Sequence, residues 1–151
     1  GYSIDVYGNF MIIGAPHRAD LVGRAYLYQK DYKHRWQLIE RISPSSENWT
    51  SDFGSQVKIN DQHILIGDQK FNKEKGSVFT MKQNMNTGRW ESGNILSYEK
   101  MNEDGFFGHS IALNSDRTVV GSRNGNVAVE YQFDQTTGEW LQKHIFSQEL
   151  G

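Results

Sequence analysis

Residues 53–67 read FGSQVKINDQHILIG, and this stretch decides the fold. Gly54 is followed by Val57 and Ile59, aliphatic residues two apart, the period of a strand with one covered face. Asn60-Asp61-Gln62 is a polar turn. After it Leu65-Ile66 runs into Gly67 as a second, more buried strand. The chain contains this unit three times. Gly1, Gly54 and Gly108 are separated by 53 and 54 residues, and the aliphatic pairs that follow are Ile4/Val6, Val57/Ile59 and Ile111/Leu113. Thirteen residues after each comes a second glycine, Gly14, Gly67 or Gly121, preceded by Ile12-Ile13, Leu65-Ile66 or Val119-Val120. The turns between are Tyr7-Gly8-Asn9, Asn60-Asp61-Gln62 and Asn114-Ser115-Asp116.

Further landmarks stay in register. A third glycine, Gly23, Gly76 or Gly125, opens a third strand, with a shorter preceding loop in the last copy. Each copy then carries one tryptophan, Trp36, Trp90 or Trp140, where a fourth strand is expected to begin. Self-similarity at this period signals stacked repeats. The repeats span about 1–52, 53–106 and 107–151. Each predicts a four-stranded antiparallel sheet with apolar residues on both faces, and stacking the sheets covers those faces at about 25 cal/mol per Å². The three tryptophans are expected to pack between sheets. The predicted class is all-β: three blades of a β-propeller, a partial propeller or a share of an oligomeric ring. The outermost sheets are expected to need a protein partner, further blades or further copies.

Composition bounds the function classes. Of the 151 residues 36% are hydrophobic and 23% charged, with 15 glycines for tight turns; the net charge of -2 predicts no nucleic-acid footprint, and no apolar run approaches the roughly twenty residues of a membrane span. With no cysteine, disulfides, thiolate metal sites and cysteine nucleophiles are excluded. His17, His34, His63, His109 and His144 lack metal-ligand spacing and are expected in solvent or turns. No metal, cofactor or catalytic set is expected.

Phe53-Gly54-Ser55-Gln56-Val57 and Phe107-Gly108-His109-Ser110-Ile111 resemble the first half of the FG-GAP repeat, and Ile12-Ile13-Gly14-Ala15-Pro16 matches its second half. The other copies keep only the glycine there, in Gly67-Asp68-Gln69 and Gly121-Ser122-Arg123. The resemblance implies propeller blades in a non-enzymatic extracellular or cell-surface protein, serving adhesion or structural assembly. Integrin-like members carry calcium loops of closely spaced carboxylates. The corresponding loops here, 17–22 and 68–75, contain no such run, and Lys70, Lys73 and Lys75 would repel the ion. Kelch repeats share the period but want a paired glycine, which is missing.

Recognition on such a scaffold belongs to the loops after the second strands, which gather on one rim. The candidates are His17, Arg18, Asp20, Gln69, Lys70 and Arg123. A glycan or other small ligand is the alternative partner, with Trp49 as a possible stacking surface. Asn48-Trp49-Thr50 is an N-glycosylation pattern and makes Asn48 a modification candidate.

Overall fold

The structure is a computed structural model that describes residues 1–17, 22–44 and 47–148. Twelve strands form three four-stranded antiparallel sheets. Blade 1 contains β1 (Ser3–Tyr7), β2 (Phe10–Ala15), β3 (Arg24–Lys30) and β4 (Trp36–Ile42). Blade 2 contains β5 (Gln56–Ile59), β6 (His63–Asp68), β7 (Ser77–Gln83) and β8 (Trp90–Ser92). Blade 3 contains β9 (Phe107–Leu113), β10 (Arg117–Ser122), β11 (Val127–Asp134) and β12 (Glu139–Ser147). Each sheet keeps its strands in chain order. Neighbouring blades meet along their first strands, β1 against β5 and β5 against β9, with no comparable contact between fourth strands.

The three copies align by pairing as well as by sequence. Gly14 pairs with Ala25, Gly67 with Val78 and Gly121 with Ala128. Burial along the second strand follows from position in the stack. All six residues of β6 are buried, because blade 2 has a sheet on each side. β2 and β10 carry buried positions between partly covered ones, with Arg117 at the start of β10 exposed, each having one neighbouring sheet.

Two apolar cores fill the junctions. Ile12, Leu27 and Ile42 of blade 1 pack with Val57, Ile66 and Met81 of blade 2. Leu65, Val78 and Leu96 on the opposite face of blade 2 pack with Ile111, Val129 and Tyr131. Trp90 meets Phe10 across the first junction at 5.6 Å, edge to face. Trp140 meets His63 across the second at 4.8 Å. Each tryptophan thus packs against the blade before its own. Trp36 departs from the expectation of burial: it has no preceding blade here and is only half-covered, with Lys30 Nζ 4.9 Å from the ring.

The repeated glycines are close-contact points. A Cβ on Gly14 would strike the carbonyl oxygen of Gly54, and one on Gly67 would lie 2.6 Å from that of Gly108. Gly54 and Gly108 reach this position at φ of 92° and 88°, where a side chain is strained. The third glycines obey the same rule: Gly23 and Gly76 lie against the carbonyls of Phe53 and Phe107. Polar links reinforce each junction. Asp5 Oδ2 accepts from Ile59 N at 2.9 Å, and Asn60 Nδ2 donates to Asn114 O at 2.9 Å.

One loop differs from its expected form. Within 68–75, Phe71–Glu74 makes a single irregular helical turn, α1, with Asn72 and Lys73 at positive φ. The turn tucks Phe71 against Trp49, ring centroids 4.4 Å apart.

The glycine contacts carry a stability prediction. Gly67→Ala must separate two backbones and is expected to cost several kcal/mol, about 3 or more. Gly138→Ala, at φ 73° with nothing near its Cβ position, carries backbone strain alone and should cost about 1 kcal/mol. Urea unfolding of the two variants measures the difference.

Candidate functional site

The loops after β2, β6 and β10 and the connectors between blades form one rim. His17 N donates to Ser51 O at 2.7 Å and Gly23 N to Thr50 O at 3.0 Å, pinning the first connector to blade 1. The same connector is held to blade 2 by Asp68, which is fully buried. Its carboxylate accepts from Thr50 N at 2.6 Å, Thr50 Oγ1 at 2.7 Å and Lys70 N at 3.1 Å. Burial pushes the Asp68 pKa up, and the three hydrogen bonds oppose that shift. The second connector repeats the pattern with backbone groups, Phe106 N to Glu74 O and Phe107 N to Lys75 O, both 2.9 Å.

Three of the rim candidates come together. A cleft of about 150 Å³ between blades 1 and 2 is lined by Tyr2, Pro16, His17, Asp52, Ser55 and Gln69. Asp52 is its electrostatic centre, 3.3 Å from Lys70 Nζ and accepting from Gln69 Nε2 at 3.0 Å. Gln69 Oε1 is buried without a hydrogen-bond partner in the protein. Pro16 and His17 also line a larger hollow of about 660 Å³ with Val22, Arg24, Tyr26 and Ser43. Arg123 is held elsewhere, 5.9 Å above the Phe106 ring. Arg18 and Asp20 lie outside the described residues. The sequence carried no signal for Asp52: its partners come from a separate loop and only folding joins them.

Two sequence expectations are corrected here. Trp49 is no exposed stacking surface but is buried against Phe53, Phe71 and Phe79. Asn48 beside it is exposed, while Thr50 of the same pattern is bound to Asp68. His63 is not in solvent. It is 1% exposed between the rings of Phe133 and Trp140, and its Nδ1 has no hydrogen-bond partner. Burial, aided by Lys82, lowers its pKa to about 4, against opposing fields from Asp61 and Asp116. Among the described residues no group of three or more His, Asp or Glu is placed to hold a metal ion, and no helix is long and apolar enough to cross a membrane.

No family model matches the chain, and no curated protein matches it in sequence. Solved structures do match. A protein from Lactobacillus plantarum superposes with a TM-score of 0.64 at 12% identity, over 98% of this chain and 42% of its own. A candidate 6-phosphogluconolactonase from Bacteroides fragilis superposes at 0.63 and 8% identity, over 97% of this chain and 44% of its own. KlHsv2, with loop 6CD replaced by a Gly-Ser linker, gives 0.52 and 11%, over 97% and 39%. The likeness is one of fold: the three sheets are β-propeller blades. The chain spans less than half the length of each of these structures.

His63 links stability to pH. Its folded pKa lies below the ordinary 6.5, so the unfolded chain binds the extra proton first. Stability should therefore fall as pH drops from about 6.5 towards 4, by up to roughly 3 kcal/mol from this group. His63→Phe, the residue type that blade 1 carries at Phe10, should flatten that slope. Urea unfolding across this range, with and without the substitution, measures it.

Proposed function

We propose that the chain is a non-enzymatic, FG-GAP-like propeller module that acts through protein–protein contacts, in adhesion or structural assembly, at the cell surface or outside the cell. The observation that carries this reading is the outer face of blade 1. Ile4 and Val6 are 59% and 52% exposed, whereas Val57 and Ile59, their counterparts in blade 2, are 2% and 4% exposed. Tyr26, Tyr28 and Trp36 continue this partly covered face. Apolar side chains clustered at positions that are junction core in the neighbouring repeat favour a docking role. The Asn48 pattern and the FG-GAP resemblance support the extracellular setting.

A small-ligand site at the rim is the second reading. It rests on the cleft where His17, Asp52, Gln69 and Lys70 converge, with an unpaired acceptor on Gln69. The name of the Bacteroides neighbour makes a phosphorylated sugar lactone a sensible first probe, alongside a glycan array.

Ile4→Glu with Val6→Glu places two charges on the exposed face of β1 and should leave the melting temperature nearly unchanged. The double variant is expected to lose any association that the unaltered chain makes in sedimentation. Undiminished association would count against the docking role. For the rim, a melting-temperature rise with the lactone that disappears in Lys70→Ala would support ligand binding, and no shift with any probe would remove it.

A further inference from the structure

The contacts between blades repeat by position, and one full set of those positions is divided between the two outermost faces. Phe10 and His63 each lie four residues before the second glycine of their repeat, and they meet Trp90 and Trp140 of the following blade. The remaining members of the series are Arg117, four residues before Gly121, and Trp36. Arg117 is exposed on the outer face of blade 3, 3.5 Å from Glu130. Trp36 already holds a lysine ammonium near its ring, as a cation–π acceptor does.

Other pairs divide in the same way. Across the second junction the Tyr131 hydroxyl donates to Ser97 O at 3.0 Å. Strand register makes Tyr28 the counterpart of Tyr131. Leu96 bridges Val78 as Phe146 pairs with Ala128, so Ser147 is the counterpart of Ser97. Gly121 corresponds to Gly14 and Gly67, the glycines that receive the next blade's carbonyl, and Gly1 corresponds to the donors of that contact. Phe146, 56% exposed, holds the place of the buried Ile42 and Leu96.

The charge distribution distinguishes the two faces. Where blades 1 and 2 have Leu27 and Thr80, blade 3 has Glu130, bonded to His144 at 2.6 Å and paired with Arg117. The blade 1 face carries Arg24, Lys30 and Arg41 beside its apolar side chains and the hydroxyls of Tyr26 and Tyr28, all of them donors suited to a carboxylate. A polar face of this kind complements the blade 1 face better than that face complements itself.

The geometry points to a second copy of this chain as the occupant, with the Arg117 face of blade 3 seated on the Trp36 face of blade 1 in the next copy. This inference rests on the assembly reading above and specifies its partner. The joint continues the two junctions within the chain: Arg117 over Trp36, Tyr28 donating to Ser147 O, and the Gly1 carbonyl against Gly121. Joining unlike faces is a heterologous contact, which closes only when the rotation completes a ring. Two copies supply six sheets, within the roughly four to eight that propellers use. The expected species is a closed dimer with two identical joints.

Sedimentation velocity on the purified chain, alone and in mixtures, tests it. Trp36→Ala damages one face and Arg117→Glu the other, and each alone should raise the dimer dissociation constant by about tenfold or more. Mixing the two variants should restore the dimer in part: one joint then pairs the sound blade 3 face of one copy with the sound blade 1 face of the other, and both substitutions fall together in the second joint. Val6→Glu and Phe146→Glu, at exposed positions, repeat the experiment should either first variant fold poorly. A dimer untouched by Arg117→Glu and Phe146→Glu would overturn the head-to-tail joint while leaving the assembly reading standing. So would two single-site variants that fail to complement each other. A chain that stays monomeric at every concentration overturns this inference, and the assembly reading survives that result only if another protein binds the blade 1 face and is blocked by Ile4→Glu.

Discussion

The carbonyl of Gly54 lies against the α-carbon of Gly14, and the carbonyl of Gly108 against that of Gly67. Much else in the molecule depends on these two backbone contacts. They set the separation of neighbouring blades at the hub, and a Cβ at either receiving glycine would force the sheets apart. The donating glycines must adopt positive φ to present their carbonyls, so two glycine positions per repeat have distinct steric causes. With the inner strands held this close, side chains farther out find a fixed gap. Ile12, Leu27 and Ile42 fill it at one junction, and Leu65, Val78 and Leu96 at the other.

Polar groups then specify how the blades sit. Asp68 is buried yet bonded to the backbone and hydroxyl of Thr50, which ties the first connector to the second blade. Asn94 bonds both backbone groups of Trp140 across the second junction, at 2.9 Å each. Such directional bonds add modest net stability, but leaving them unmade is costly. His63 shows the opposite economy. It takes an aromatic position between Phe133 and Trp140 as a neutral ring, and its low pKa follows from that burial. The same rim geometry makes Asp52 the meeting point of Gln69 and Lys70.

The strand pattern was legible because it depends on near neighbours in the chain. Val57/Ile59 and Ile111/Leu113 alternate at period two, and each second strand runs into its glycine. The fourth strands begin at Trp36 and Trp90 and one residue before Trp140. Of the rim residues, His17, Gln69 and Lys70 were legible as loop positions. Asp52 was not, because its role comes from side chains 17 and 18 residues away that reach it only after folding. Trp49 was misleading in sequence, an aromatic in a polar loop, and the α1 turn buries it by bringing Phe71 over the ring.

By itself the sequence determined that there are three copies of one sheet, how their strands pair, and which positions are equivalent. Those properties follow from local periodicity and from glycine's backbone freedom, both written in adjacent residues. Only the tertiary structure decided which equivalent positions are covered. Trp36, Trp90 and Trp140 occupy the same place in their repeats, yet the first is half-covered and the others buried, because burial requires a surface opposite. Ile4 and Val57 differ for the same reason. Covering a side chain takes two bodies, and the repeat pattern describes one.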